Sequence, residues 1–249
     1  MSSVYDRLIT VSENRGGIYA LLLDPDQKNH GSLESMVDLA NESDVDVLFV
    51  GGSLMMDGKS HDRVKEIKNK SSLPVVFFPG STSQLNCYFD AVLFLSVLSG
   101  RNPHYLIGEQ VISAPIIKDL DLEAIPTGYL LLNGGAQSTV EFMSGSNPIP
   151  MNRPDITVAH ALASEYLGMK FVYLEAGSGA RQSIPEEIIK RCAEKLNIHL
   201  IVGGGIKTPT EAESKIKAGA TMVVTGSVLE GSTDSRLMKD FADAIHIKG

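Results

Sequence analysis

The chain has 249 residues, with 22 Lys and Arg against 30 Asp and Glu, a net charge of -8 and a 43% share of hydrophobic residues. That apolar share supplies a core and excludes a disordered chain. The acidic balance excludes a nucleic-acid binder, which needs a basic face to displace counterions from phosphates, but backbone N–H groups can still hold one small phosphorylated ligand.

The opening segment MSSVYDRLITVSENRGG lacks the basic-then-apolar pattern of a secretory signal. No apolar run approaches the ~20 residues that span a bilayer. Cys87 and Cys192 form no CxxC pair, so the expected location is the reduced cytoplasm.

In chain order, short β-branched or Leu-rich runs fall at 18–23, 46–50, 74–78, 91–95, 127–132, 171–175, 199–202 and 222–225. Most are apolar at consecutive positions, the pattern of parallel strands buried on both faces. Amphipathic stretches at 33–40, 61–68, 105–117, 156–167, 185–195 and 209–218 alternate with them. Pro185-Glu186-Glu187 and Pro209-Thr210-Glu211 mark helix starts, with Pro early and acids in the first turn. Only a very short helix fits between Phe78 and Ala91. The irregular segment 133–154, rich in Gly, Ser, Asn and Pro, follows the fifth strand. Eight strands alternating with helices predict an α/β fold, a single-domain TIM (β/α)₈ barrel over residues 1–249; a doubly wound open sheet shares the same local pattern.

In either fold, residues at the C-terminal ends of the strands converge on one face. Those ends read Asp24-Pro25-Asp26, Gly51-Gly52-Ser53, Pro79-Gly80, Glu175-Ala176-Gly177-Ser178-Gly179, Gly203-Gly204-Gly205 and Gly226-Ser227. The glycine clusters after the seventh and eighth strands suit a phosphate, because glycine lets backbone N–H groups come close; tight turns alone would also use them. Asp24, at the mouth of an apolar strand, either coordinates a metal or caps the following loop. Asp26 either assists Asp24 or is turned away by Pro25, which fixes the chain between them. Ser53 offers a neutral oxygen suited to Mg²⁺ or serves as a turn residue. Glu175 and Tyr173 are two apart on one strand and so share a face. Glu175 there is a candidate general base, or the partner of a Lys or Arg across the mouth. Phe77, Phe78, Phe94, Leu95, Tyr105, Leu106 and Ile107 read mostly as packing, with 103–108 as the place where an apolar groove would open. No HxxxH, HExxH, GxSxG or GxxxxGK[ST] pattern occurs.

Taken together, Leu23-Asp24-Pro25-Asp26, Val50-Gly51-Gly52-Ser53, Phe78-Pro79-Gly80, Asn102-Pro103-His104-Tyr105-Leu106-Ile107-Gly108, Tyr129 to Leu131, Pro148-Ile149-Pro150 with Asn152-Arg153-Pro154-Asp155, Glu165 to Met169, Tyr173 to Ala180 and Ile201 to Ile206 resemble the geranylgeranylglyceryl phosphate synthase family, which includes heptaprenylglyceryl phosphate synthases. The resemblance runs along nearly the whole chain. It implies a TIM-barrel prenyltransferase that joins sn-glycerol 1-phosphate to a polyprenyl diphosphate, geranylgeranyl diphosphate first, through an ether, and releases diphosphate. By position it implies Mg²⁺ on Asp24 and Ser53. It implies glycerol 1-phosphate on Tyr173, Leu174, Glu175, Ala176, Gly177, Ser178, Gly179, Gly204, Gly205, Gly226 and Ser227, with Glu175 and Tyr173 as the catalytic pair. Some members carry Lys two residues before the metal Asp, where this chain has Leu22. The resemblance also implies a homo-oligomer, for which Phe142 is an anchor unless it packs locally, and an amphiphilic product compatible with transient membrane contact. The alternatives are a phosphate-binding isomerase or aldolase on the same barrel, and a non-catalytic phosphoglycerol-binding protein.

Overall fold

Alternate residues of each strand feed two separate cores, which is why the strands read as unbroken apolar runs. In the first strand Ile18, Ala20 and Leu22 point inward, while Tyr19, Leu21 and Leu23 pack outward against helices. The structure is a computed structural model that describes residues 2–229 and 235–248. Eight parallel strands close into a barrel in sequence order: β1 (Ile18–Leu23), β2 (Val47–Val50), β3 (Val75–Phe77), β4 (Ala91–Val97), β5 (Glu123–Leu131), β6 (Phe171–Glu175), β7 (His199–Gly203) and β8 (Met222–Thr225). β8 pairs with β1 in the register Ile18↔Met222 to Leu21↔Thr225, which closes the ring and excludes the open sheet.

Nine α-helices are described: α1 (Val4–Arg15), α2 (His30–Glu42), α3 (Ser60–Lys70), α4 (Glu109–Asp119), α5 (Thr139–Ser144), α6 (Pro154–Tyr166), α7 (Glu186–Ala193), α8 (Pro209–Lys217) and α9 (Ser235–Ile245). Between β3 and β4 there is only a 3₁₀ turn, Thr82–Gln84, as the short gap demands. β5 begins at Glu123, four residues before the sequence-based start, and runs through Pro126, opposite Phe94. Proline cannot donate to a ladder, which hid this part of the strand. Its carbonyl still accepts from Lys170 N–H at 2.8 Å.

α1, absent from the sequence reading, closes the bottom of the barrel. Leu8 joins the interior core, with Val4, Tyr5 and Ile9 packed against it. The first two N–H groups of the helix donate to the Glu123 carboxylate, which satisfies helix-end donors with a favourable charge. The bottom is thereby filled and the strand C-termini form the open face. Within 133–154, α5 is a single helical stretch capped by Ser138, whose side chain accepts from Glu141 N–H.

Candidate active site

Inward parity continues past the strand ends and builds the site. On β6 the side chains of Phe171 and Tyr173 point into the barrel, and Glu175 follows them. Leu174 and Ala176 point the other way, into the layer beneath the helices. A cavity of about 440 Å³ opens at the C-terminal face, within the range of small-molecule sites. Of the residues expected to bind, Asp24, Ser53, Tyr173, Glu175, Ser178, Gly204, Gly205, Gly226 and Ser227 line it, together with Leu22. Leu174, Ala176, Gly177 and Gly179 are not on its wall. For Leu174 and Ala176 the cause is strand parity, which turns both side chains into the layer beneath the helices.

Glu175 is 7% exposed. Gly177 N–H donates to its Oε1 at 2.6 Å, and the Tyr173 hydroxyl reaches the same carboxylate. Burial disfavours the charge and pushes the carboxyl up to about 7, even though the bonds from Gly177 and Tyr173 pull it down. Gly177 is thus occupied in holding Glu175. Burial and the Glu175 charge raise the hydroxyls of Tyr173 and Tyr129 well above the ordinary tyrosine value. The two rings stack with centroids 5.4 Å apart, and Phe78 stacks on Tyr173 at 5.5 Å. Gly204 adopts a φ of +81°, and a side chain there would overlap Glu175 Oε1. Its glycine therefore serves both the turn and the close approach of the carboxylate.

Asp24 faces the cavity with its carboxylate against Gly52. Its Oδ1 accepts from Asp26 N–H at 3.1 Å, and Lys28 Nζ lies 3.3 Å from Oδ2. Asp26 is engaged elsewhere, accepting from Met56 N–H at 2.7 Å and Lys28 N–H at 3.3 Å. Among the described residues no group of three or more His, Cys, Asp and Glu stands ready to hold a metal. The wall oxygens of Asp24 and Ser53 form a sparse, hard donor set. It fits Mg²⁺, which retains waters and shares substrate phosphate oxygens, better than an all-protein cage.

From this polar end the cavity runs outward between β3, β4 and α4. Phe77, Phe78, Phe94, Leu95 and Tyr105 line it, with Val92, Leu85 and Ile117. This corrects the expectation that most of these aromatics only pack; Leu106 and Ile107 stay off the wall, and Ile107 is exposed. The predicted helix 105–117 opens with a wider π-helical turn, His104–Gly108, before α4. Ser96 Oγ donates to Leu106 O at 2.6 Å and ties that turn to β4. Tyr129, Phe78 and Lys28 are site residues that received no role from the sequence. For Phe78 and Tyr129 the signal was present, since both are in phase with the inward residues of β3 and β5.

The comparisons agree with this arrangement. A sequence profile described as the PcrB family matches residues 9–245. The chain belongs to the PcrB family. This PcrB-family chain is 45% identical over 228 residues to a "Geranylgeranylglyceryl phosphate synthase" of Chitinophaga pinensis, covering 92% of this chain and 90% of that protein. A protein of the same name from Methanosphaera stadtmanae is 40% identical over 238 residues, 95% and 96% of the two chains. The crystal structure of (S)-3-O-geranylgeranylglyceryl phosphate synthase from Thermoplasma acidophilum, in complex with its substrate sn-glycerol-1-phosphate, superposes with a TM-score of 0.92 at 32% identity, covering 99% of each chain. The family identified from the sequence motifs is the one found.

Proposed function

We propose that this chain is a geranylgeranylglyceryl phosphate synthase. It joins the terminal hydroxyl of sn-glycerol 1-phosphate to C1 of a polyprenyl diphosphate, geranylgeranyl diphosphate first. The observation that carries the reading is one cavity in which a glycine-lined polar end, with Glu175, meets an apolar arm. A phosphosugar isomerase or aldolase would share the polar end but has no use for the arm.

The glycerol phosphate lies at Gly204-Gly205 and Gly226-Ser227, where backbone N–H groups meet the phosphate. The prenyl chain lies along Phe77, Phe94, Leu95 and Tyr105. In the transfer the C1–O bond breaks and its electron pair leaves with the diphosphate. The glycerol oxygen bonds to C1, and its proton passes to Glu175. Tyr173 fixes the carboxylate that receives it, and the narrow site holds hydroxyl and C1 in line. Mg²⁺ held by Asp24 and Ser53 would neutralise charge on the leaving diphosphate.

Incubation of the protein with Mg²⁺, glycerol 1-phosphate and prenyl diphosphates of several lengths tests this reading. The expected result is a lipid-extractable ether, with the geranylgeranyl donor preferred. Glycerol 1-phosphate binding without any lipid product would instead support a binding protein. For the metal, Asp24→Asn is expected to raise the Mg²⁺ concentration for half-maximal rate by at least about tenfold, since one charged contact is lost. An unchanged Mg²⁺ titration would remove Asp24 from that role.

Phe142 is 75% exposed and does not pack locally. With Val111 and Ile112, also exposed on α4, it supports a homo-oligomer held by apolar contacts. Sedimentation is expected to give a mass above that of one chain, reduced by Phe142→Ser; a monomeric wild type would contradict it. Among the described residues no helix is long and apolar enough to cross a membrane.

A further inference from the structure

The cavity must take two anions, yet its described wall carries four acidic side chains, Asp24, Asp26, Glu109 and Glu175, and a single cationic one, Lys28. All four acids accept hydrogen bonds from the protein, Asp24 and Glu175 from one N–H each and the other two from more than one group. Asp26 accepts from Met56 and Lys28 N–H groups; Glu109 accepts from the N–H and hydroxyl of Thr82 at 2.8 and 2.5 Å and faces His104 Nε2 at 2.9 Å. The glycine turns after β7 and β8 provide N–H groups for a monophosphate, and Gly51-Gly52 after β2 lies beside Asp24 on the same wall, but neither brings a positive charge to the diphosphate. Leu22, on the inward face of β1, is apolar at the position where some family members have Lys.

The position of Lys28 is built, although its side chain is 64% exposed. It sits in a 3₁₀ turn, Gln27–Asn29, capped by Asp26, which is 3% exposed. Asp26 ties that turn to Met56 in the loop after β2, and Asn29 Nδ2 donates to Asp24 O at 3.1 Å. The turn thus carries the ammonium over the cavity, where it rests 3.3 Å from Asp24 Oδ2. An exposed pair of this kind contributes little to stability, so releasing it costs little. A diphosphate offers more negative charge than one carboxylate, and lysine is a flexible point charge able to follow it.

We propose that Lys28 is the leaving-group residue of this enzyme: it exchanges Asp24 for the diphosphate of the prenyl donor and neutralises the electron pair released when C1–O breaks. The proposal rests on the prenyl-transfer reading. Calorimetric titration of inorganic pyrophosphate and of glycerol 1-phosphate into wild type, Lys28→Met, Lys28→Arg and Leu22→Lys/Lys28→Met tests it.

Lys28→Met is expected to weaken pyrophosphate binding about tenfold, to leave glycerol 1-phosphate binding unchanged, and to lower kcat/KM for the prenyl donor in proportion. Lys28→Arg should retain most of the affinity, and Lys at position 22 should restore part of it. Pyrophosphate binding as tight in Lys28→Met as in wild type would overturn the proposal. So would equal loss of both ligands, which marks a structural role. If wild type makes lipid product while Lys28→Met binds pyrophosphate normally, only the assignment of Lys28 fails. A wild type that makes no product sinks the functional reading itself.

Discussion

Glu175→Gln is expected to lower kcat for ether formation by about two to four orders of magnitude, the usual contribution of a positioned general base. Affinity for glycerol 1-phosphate should change little. Glutamine keeps the shape and can still accept from Gly177 N–H and meet the Tyr173 hydroxyl, so the bonds that orient residue 175 survive. What is lost is the capacity to take a proton. Near-normal turnover with saturating substrates would remove Glu175 from that role.

The same substitution has a second, opposite effect. Folding raises the Glu175 carboxyl from 4.5 to about 7, so the folded state holds its proton more tightly than the unfolded chain. The contribution to stability is complete below pH ~4.5 and is lost as pH rises through ~7, to a total of about 3 kcal/mol. Gln has no charge to bury. The variant should therefore melt at nearly the wild-type temperature in acid and progressively above it up to pH ~8. Inactivation accompanied by stabilisation separates a buried functional acid from a structural one. A variant less stable than wild type at every pH would show that the carboxylate mainly holds the fold.

The second large effect is expected at Gly203, the last residue of β7. A methyl there would overlap the Tyr173 hydroxyl and stand 3.2 Å from Glu175 Oε2. The Tyr173 ring has no room to retreat, since Tyr129 and Phe78 stack against it. Overpacking of this kind costs about 1–3 kcal/mol, and moving a reacting group by ~1 Å costs about a hundredfold in rate. Gly203→Ala should therefore lose about two orders of magnitude in kcat and melt at a lower temperature. Adding Tyr173→Phe removes the overlapping oxygen and should recover part of the lost stability. Gly31→Ala, on the exposed face of α2 with nothing within 4 Å of the added carbon, serves as control and should stabilise by roughly 0.5–1 kcal/mol. Equal behaviour of the two alanine variants would mean that Gly203 shapes nothing in the site.

The barrel was legible because both faces of every strand are buried. Consecutive apolar residues at 18–23 and 171–175 left little else for those segments to be, and the polar and glycine residues ending them marked the open face. Parity extends that reading into the site: counting by twos from Ile18 reaches Leu22 and Asp24, and from Phe171 reaches Tyr173 and Glu175. The same count, taken from Val76 and Ile125, reaches Phe78 and Tyr129.

Other features carry no such local signal. α1 is polar over much of its surface, and two of its first N–H groups find their acceptor in Glu123, more than a hundred residues away. The apolar arm is made by β3, β4 and α4 meeting across the layer outside the barrel, so no single segment announces it. Lys28 belongs to no motif in the sequence; the turn capped by Asp26 places it beside Asp24.

In the proposed reaction a buried carboxylate takes the proton as the prenyl ether forms on glycerol 1-phosphate. That step leaves its mark on the pH dependence of kcat/KM for the product. Because the base must be ionised, kcat/KM for wild type should rise about tenfold per pH unit in acid and level off above an inflection near 7, the value to which burial pushes Glu175. The residual rate of Glu175→Gln should lack that inflection. A wild-type profile flat from pH 5 to 8, or an inflection that persists in Glu175→Gln, would mean that Glu175 does not take the proton.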